Sequence, residues 1–316
     1  MKNSINKIFR KTNHEEPLFI YKSTTIYPSD LESLSDGQWL QDPIIGFYYD
    51  YLEQKLDLQS SQIFLFQPSM AHLIAHAVDV ESAREALPPE ISQKEYAFLP
   101  TNNGNIHNTS GSHWSLLVYQ KSKNLFRYYD SCYKTNLEAT KIVVERMCIL
   151  FNQPKASLII ETPTQQTNDY DCGIYTLLYT EALVERILKL KLLKTRVQQA
   201  LTSSRSNNTN DIFRLNSRNI SFNSEQSIQL QSNYIESHEN LLEYCEYDIE
   251  NNNSLNREIE NAFDSRSNEE SYDIDILVAT YNSHKETMWD LTFYESISPL
   301  FKRREILELA KDKFIL

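Results

Sequence analysis

From residue 42 onward the chain alternates between runs of helical and of extended periodicity. Asp42 and Pro43 open the run IIGFYYDYLEQKL, in which apolar positions 44, 45, 47, 48, 51 and 52 share one face. This pattern predicts a helix with Asp42 as N-cap, Pro43 at its first position and Gly46 at a close packing contact. IFLF at 63–66 reads as a strand, SMAHLIAHAV from 69 as a helix, SAREAL as a short helix stopped by Pro88 and Pro89, and YAFLP at 96–100 as a further strand. HWSLLVYQ and LFRYYDS, two aromatic-rich runs around the polar link KSKN, predict an antiparallel hairpin. KIVVERMCILF follows as a helix, and apolar positions 174, 177, 178, 182, 183 and 187 place a long helix whose first residue is Cys172. The fold class is mixed α+β.

The periodicity fades after residue 200. Between Ser203 and Leu291 there are six Lys and Arg against seventeen Asp and Glu, so this segment carries nearly all of the net charge of −12. To Ser271 it is about 40% Asn plus Ser, a composition of low hydrophobicity and high charge that predicts a solvated, largely disordered insertion. Patches such as NLLEYCEYDI leave open a short helix or a docking segment within it. The expected division is a flexible N-terminus at 1–20, one folded domain at 21–200, the insertion at 201–290 and a C-terminal helical segment at 291–316.

Only five glycines occur, at 37, 46, 104, 111 and 173. Nucleotide-binding loops and collagen-like repeats, which need clustered glycines, are therefore excluded. No run of eighteen apolar residues exists, and the N-terminal MKNSINKIFRKTNHEEP has no apolar core of the kind a secretory signal needs. The chain thus reads as cytoplasmic, nuclear or both, with no membrane partner. The basic run KLKLLKTR at 189–196 reads as the exposed end of a helix, so no nucleic-acid partner is expected. The four cysteines (132, 148, 172, 245) have neither disulfide-framework nor zinc spacing. His72, His76 and His107 have no second ligand at recognisable spacing, so no metal and no cofactor is expected.

The hairpin carries the first chemical clue. With its turn centred near 122.5, residue 113 lies opposite 132, which brings His113 beside Asp130. A carboxylate beside an imidazole fixes the ring's tautomer and stabilises its charged form, although such a pair by itself serves equally as a structural hydrogen bond. The second clue is Cys172 at the start of a helix, where free N–H groups and the dipole favour a thiolate. Gly173 next to it would leave room for a substrate backbone and permit a tight strand-to-helix turn. Gln165 and Gln166, in the preceding loop, are candidate amide donors for an oxyanion, together with the Cys172 N–H. Cys132, read as a strand residue without a helix start, is a packing cysteine rather than a rival nucleophile, and Cys148 is a core residue.

These residues carry a resemblance. His113-Trp114-Ser115-Leu116, Tyr129-Asp130-Ser131, Gln166 and Asp171-Cys172-Gly173, in this order, resemble the ubiquitin-like-protein protease family, the sentrin-specific isopeptidases. SHWSLLVY, YYDS, YDCGIY, TEAL and WLQDPIIGF are closest to its deneddylase branch, with departures at Gln41 and Pro43. ESISPLFKRREILELAKDKF at 295–314 is similar to that branch's C-terminal helix, which makes 200–290 an insertion within the domain. The resemblance implies a papain-like cysteine protease fold, with a mixed, mainly antiparallel sheet and a nucleophile-bearing helix. It also implies a cysteine isopeptidase that cleaves after the C-terminal Gly-Gly of a ubiquitin-like modifier.

In that reading Cys172 is the nucleophile, His113 the base, Asp130 its orienter and Gln166 the oxyanion donor, with Gln165 as the alternative donor. Trp39 and Trp114 close over the diglycine channel, and Asp42 helps bind the modifier. A covered channel without room for a Cβ would select glycine. The implied partners are a Nedd-type modifier and its lysine conjugates, handled by a monomer. A SUMO- or ubiquitin-directed protease of the same chemistry, and a catalytically silent binding module for such modifiers, are the alternatives.

Overall fold

Aromatic and branched residues on two consecutive runs, joined by a polar link too short for a crossover, leave antiparallel pairing as the only local way to satisfy their backbone groups. The computed structural model shows this hairpin at the centre of a five-stranded sheet. It describes residues 16–104, 111–216, 274–292 and 298–314. The chain forms two units, one comprising 1–184 with 290–316 and the other 185–289.

In the first unit, β1 (Phe19–Tyr21) and β2 (Thr24–Ile26) make a small hairpin, followed by the short α1 (Pro28–Glu32) and by α2 (Asp42–Lys55). The sheet then runs in the order β3 (Ile63–Leu65), β4 (Tyr96–Asn102), β5 (Trp114–Gln120), β6 (Leu125–Tyr129) and β7 (Ser157–Ile160). Its central pairs β4–β5 and β5–β6 are antiparallel, and its outer pairs β3–β4 and β6–β7 are parallel. The parallel pairs are possible because α3 (Pro68–His76) and α4 (Val80–Ala86) separate β3 from β4, while α5 (Leu137–Leu150) separates β6 from β7.

Every residue of β5 is buried, which is why its sequence is nearly all apolar instead of alternating. One face of the sheet, with Leu99, Leu117, Phe126 and Tyr128, packs against Ala71 and Ile74 of α3 and Val143 and Met147 of α5. On the other face lies α6 (Cys172–Asn216), with the Tyr129 and Tyr179 rings 6.2 Å apart. Tyr49 of α2 is hydrogen-bonded to Thr180 of α6 at 2.8 Å, so α2 buttresses the start of the cysteine-bearing helix. α8 (Pro299–Phe314) completes this unit. Its fully buried Lys302 ammonium reaches Glu181 at 2.6 Å, Glu305 at 2.8 Å and the Tyr48 hydroxyl at 2.9 Å.

Several expectations need correction. Gln41, not Asp42, is the N-cap of α2; Asp42 is its first helical residue. β6 ends at Tyr129, so Cys132 lies in a turn rather than in a strand, and Cys148 is half-buried at the margin of the core. The cysteine-bearing helix passes residue 196, with Leu193 and Val197 buried. The division between the two units falls after Val184, within this helix. In the second unit, α7 (Ile274–Thr287) is a helix within the span read as an insertion, and its Leu277 and Val278 pack with Val197. The remainder of that span (217–273), His107, Cys245 and residues 1–15 lie outside the described residues.

Candidate active site

The register Leu116↔Tyr129, Leu117↔Tyr128 puts residue 113 level with 132 when continued past the strand ends, the value given by the turn centre. His113 directly precedes β5 and Asp130 directly follows β6. His113 Nε2–H donates to Asp130 Oδ1 at 2.7 Å, with both side chains buried. The same oxygen accepts the Cys132 N–H at 2.8 Å, and Oδ2 accepts the Tyr128 hydroxyl and, at 3.2 Å, the Asn136 N–H. Burial alone would raise the Asp130 pKa. The bonds from His113 and Tyr128, the neighbouring imidazole and the Cys132 N–H hold it below the usual carboxylate range instead. The carboxylate is therefore ionised and acts only as an acceptor.

Cys172 lines the same cleft as His113 and, with Asp130, acts on the ring electrostatically. Because Nε2 is taken by the carboxylate, Nδ1 is the nitrogen left for the thiol. Desolvation would lower the His113 pKa, but the hydrogen bond to Asp130 and the negative charge of Asp130 and Cys172 raise it to about 9. The site thus favours an imidazolium between carboxylate and sulfur. Cys172 is the first residue of α6 and 2% exposed, so sulfur chemistry here is confined to what reaches it through the adjoining cleft.

That cleft, about 500 Å³, is lined by Trp39, Asp42, His72, His113, Trp114 and Cys172 among others. Trp39, half exposed, stands at its rim with Nε1–H donating to the Asp169 carbonyl at 2.9 Å. Trp114 is buried and its Nε1–H donates to the Leu40 carbonyl at 3.1 Å, so it is a packed wall rather than a mobile cover. Asp42 is exposed at the cleft side of α2. Gly173 does not clear space for a substrate: a Cβ there would meet Leu40 Cβ at 2.7 Å and Trp114 Cδ1 at 3.3 Å, so its lack of a side chain admits the protein's own wall. No strand leads directly into the helix either, because β7 ends at Ile160 and a loop of eleven residues, 161–171, intervenes.

Gln165 and Gln166 take different places in that loop. Gln165 spends its amide N–H groups on the carbonyls of Asp130 (2.9 Å) and Pro163 (2.8 Å), leaving no donor for an oxyanion. Gln166 accepts from the Ser131 hydroxyl at 2.6 Å and donates to the Asn168 carbonyl at 2.5 Å, which leaves one amide hydrogen uncommitted. It is not among the residues that line the cleft. Among the described residues, no group of three or more His, Cys, Asp or Glu is placed to hold a metal; the His72 and His76 rings lie 4.4 Å apart, tilted by 52°.

Some site residues were not singled out in the sequence. Tyr128, two positions before Asp130, donates its hydroxyl to the Asp130 carboxylate from the end of β6. Asn136, fully buried, donates its side-chain amide to the carbonyls of His113 (2.9 Å) and Thr101 (3.1 Å). Asn103 Oδ1 accepts the N–H groups of Ser112 (2.7 Å) and His113 (3.1 Å). Gly111 has φ +56° and packs where a Cβ would strike the Asn102 side chain.

A cysteine at a helix start, sharing its cleft with an imidazole that a buried carboxylate holds, is the site of a cysteine-type peptidase, the class to which this α+β protein belongs. Residues 38–204, more than half of the chain, match the model of the Ulp1 protease family, C-terminal catalytic domain, and the chain belongs to that family. It is 34% identical over 192 residues to a probable sentrin-specific protease 8 of Dictyostelium discoideum, covering 55% of this chain and 78% of the relative. It is 31% identical to sentrin-specific protease 8 of Homo sapiens, over 54% of this chain and 82% of the relative. NEDD8-specific protease 2 of Schizosaccharomyces pombe is 33% identical over 54% of this chain, which spans 42% of that relative.

Proposed function

We propose that the protein is a deneddylase, a cysteine isopeptidase that cleaves after the C-terminal Gly-Gly of a NEDD8-type modifier joined to lysine or to a short precursor tail. The observation that carries the chemistry is the buried His113–Asp130 hydrogen bond on the cleft that Cys172 also lines. The modifier is argued from relatives named as NEDD8-specific proteases, 31–33% identical to this chain. The Cys172 thiolate attacks the glycine carbonyl, and the tetrahedral oxyanion is met by the Cys172 N–H and the uncommitted Gln166 amide hydrogen. The His113 imidazolium gives its proton to the departing lysine amine. The neutral ring then takes a proton from water, which hydrolyses the thioester. Asp130 keeps the ring aligned throughout. Trp39 and Trp114 flank the tail, and Asp42 is offered to the modifier body.

The test is incubation with NEDD8, SUMO and ubiquitin carrying C-terminal propargyl or fluorogenic amide groups. The expected result is one covalent adduct with NEDD8-propargyl, abolished by Cys172→Ala, and NEDD8-amide turnover above that of the other modifiers. Preference for SUMO or ubiquitin would overturn the modifier assignment. No adduct with any modifier would favour a silent binding module.

A further inference from the structure

Arg303 of α8 has no part in the chemistry of Cys172, His113 and Asp130, yet its five N–H groups all end on the two segments that lead into the cleft-lining residues Trp39 and Cys172. The guanidinium is 2% exposed. Its NH1 donates to the carbonyls of Ser33 (2.8 Å) and Ser35 (3.2 Å), and its NH2 to those of Gln38 (2.8 Å) and Tyr170 (3.1 Å). Nε donates to Asp171 Oδ1 at 2.9 Å, and NH2 also lies 2.8 Å from that oxygen. Gln38 immediately precedes Trp39, and Asp171 immediately precedes Cys172.

Asp171, so held, does not turn its side chain back to cap the helix it precedes. Its Oδ2 accepts the Asn168 side-chain amide at 2.8 Å, while Asn168 Oδ1 accepts the N–H groups of Tyr170 (3.2 Å) and Asp171 (3.0 Å). The loop from 168 to 171 is thereby folded on itself and tied to the guanidinium. Trp39 Nε1–H, donating to the Asp169 carbonyl, adds a direct bond between the two segments. A planar fork with five donors is the one side chain that can satisfy carbonyls on one segment and a carboxylate on the other at once. A lysine would present three donors from one point and could not span them.

We propose that Arg303 is a positioning residue for the isopeptidase reaction. It sets the distance between the Trp39 rim and the nucleophile loop, and so the width of the channel that takes the modifier tail. The inference rests on the proposed function, because a channel of fixed width matters only if a peptide tail must thread it.

The test compares full-length wild type with Arg303→Lys in two rates: turnover of NEDD8 carrying a C-terminal fluorogenic amide, and alkylation of Cys172 by iodoacetamide at neutral pH. The small reagent needs the His113–Cys172 pair but not a shaped channel. For Arg303→Lys the expected outcome is a cooperative melt, alkylation within about twofold of wild type, and a turnover loss of roughly 30-fold or more expressed mainly in KM. Unchanged turnover would overturn the proposal, as would a parallel fall in both rates, which would place the effect on the reacting pair itself. If Arg303→Lys does not melt cooperatively, the same two rates are measured on Asp171→Asn, which removes the charge but keeps the side chain's shape. There too, a selective loss of turnover supports the proposal, and unchanged turnover or a parallel fall overturns it. A wild type inert to every modifier substrate yet alkylated normally would instead defeat the proposed function.

Discussion

Asp130 accepts four hydrogen bonds while buried, which keep it ionised, and the ionised carboxylate with Cys172 makes His113 basic. The sign of the resulting pH dependence follows. The His113 pKa is raised to about 9, so its stabilising contribution is complete below the ordinary histidine value of about 6.5 and is lost as pH rises through 9. Asp130, with a lowered pKa, contributes above the ordinary carboxylate value of about 4 and loses that contribution as pH falls. In Asp130→Asn the stability deficit against wild type, measured by urea unfolding, should be largest between about pH 4 and 6.5 and should shrink above 9. The alkaline limb of kcat/KM, near 9 in wild type, should move toward neutrality, with a loss of about 10²- to 10⁴-fold. An alkaline limb unmoved by the substitution would mean that another group carries it. Tyr128→Phe removes one donor to a charged acceptor, worth about 1.5–3 kcal/mol, and should lower kcat/KM about tenfold or more without displacing Cys172. His113 and Asp130 were legible because a hairpin's register is set by its turn. Asn136 was not, because it is returned to the site by a turn with positive φ at Tyr133 and Lys134, a conformation that those residue types do not announce.

At the level of elements, the long apolar-periodic helix and the aromatic hairpin could be read directly, since each repeats its period often enough to be distinguished from chance. β1, β2 and β7 escaped because three or four residues do not establish a period of two, and β7 is a partly exposed edge. Gly173 shows a different limit. Its place after Cys172 is obvious in the sequence, but which neighbour needs the missing Cβ is a fact of tertiary packing. The two meanings give opposite results for Gly173→Ala. A glycine kept for substrate clearance would leave folding stability unchanged and raise KM. Packing against Leu40 and Trp114 instead predicts a loss of roughly 1–3 kcal/mol in chemical denaturation, because Leu40 must move and carry the adjoining Trp39 segment with it. Slower adduct formation with NEDD8-propargyl should accompany it.

Over the whole molecule, charge and order divide differently from what composition suggests. The acidic span from 203 to 291 contains α7, whose Leu277 and Val278 are buried, and the chain then returns to the first unit with the two buried cations of α8. Those cations could not be recognised in FKRREILELAKDKF, where basic residues beside an apolar stripe ordinarily mark a solvated face; their carboxylate partners, Glu181 and Asp171, lie more than a hundred residues earlier. Two deletions should therefore behave in opposite ways. Replacing 218–272 by a Gly/Ser linker of about 20 residues keeps both α6 and α7, and turnover of the NEDD8 amide should stay within about threefold of wild type. Ending the chain at residue 290 removes Lys302 and Arg303, leaving Asp171 buried without its ionic partner and Glu181 with Lys55 alone; stripping the partner from a buried pair costs about 3–5 kcal/mol. Such a loss, with the weakened Glu181 site and the missing packing of α8, is a large part of the stability of an ordinary domain, about 5–15 kcal/mol, so the truncated protein should fail to melt cooperatively and should form no adduct. A truncated chain that folds and reacts at the wild-type rate would show that α8 is dispensable and that the two ion pairs contribute little to holding the cleft.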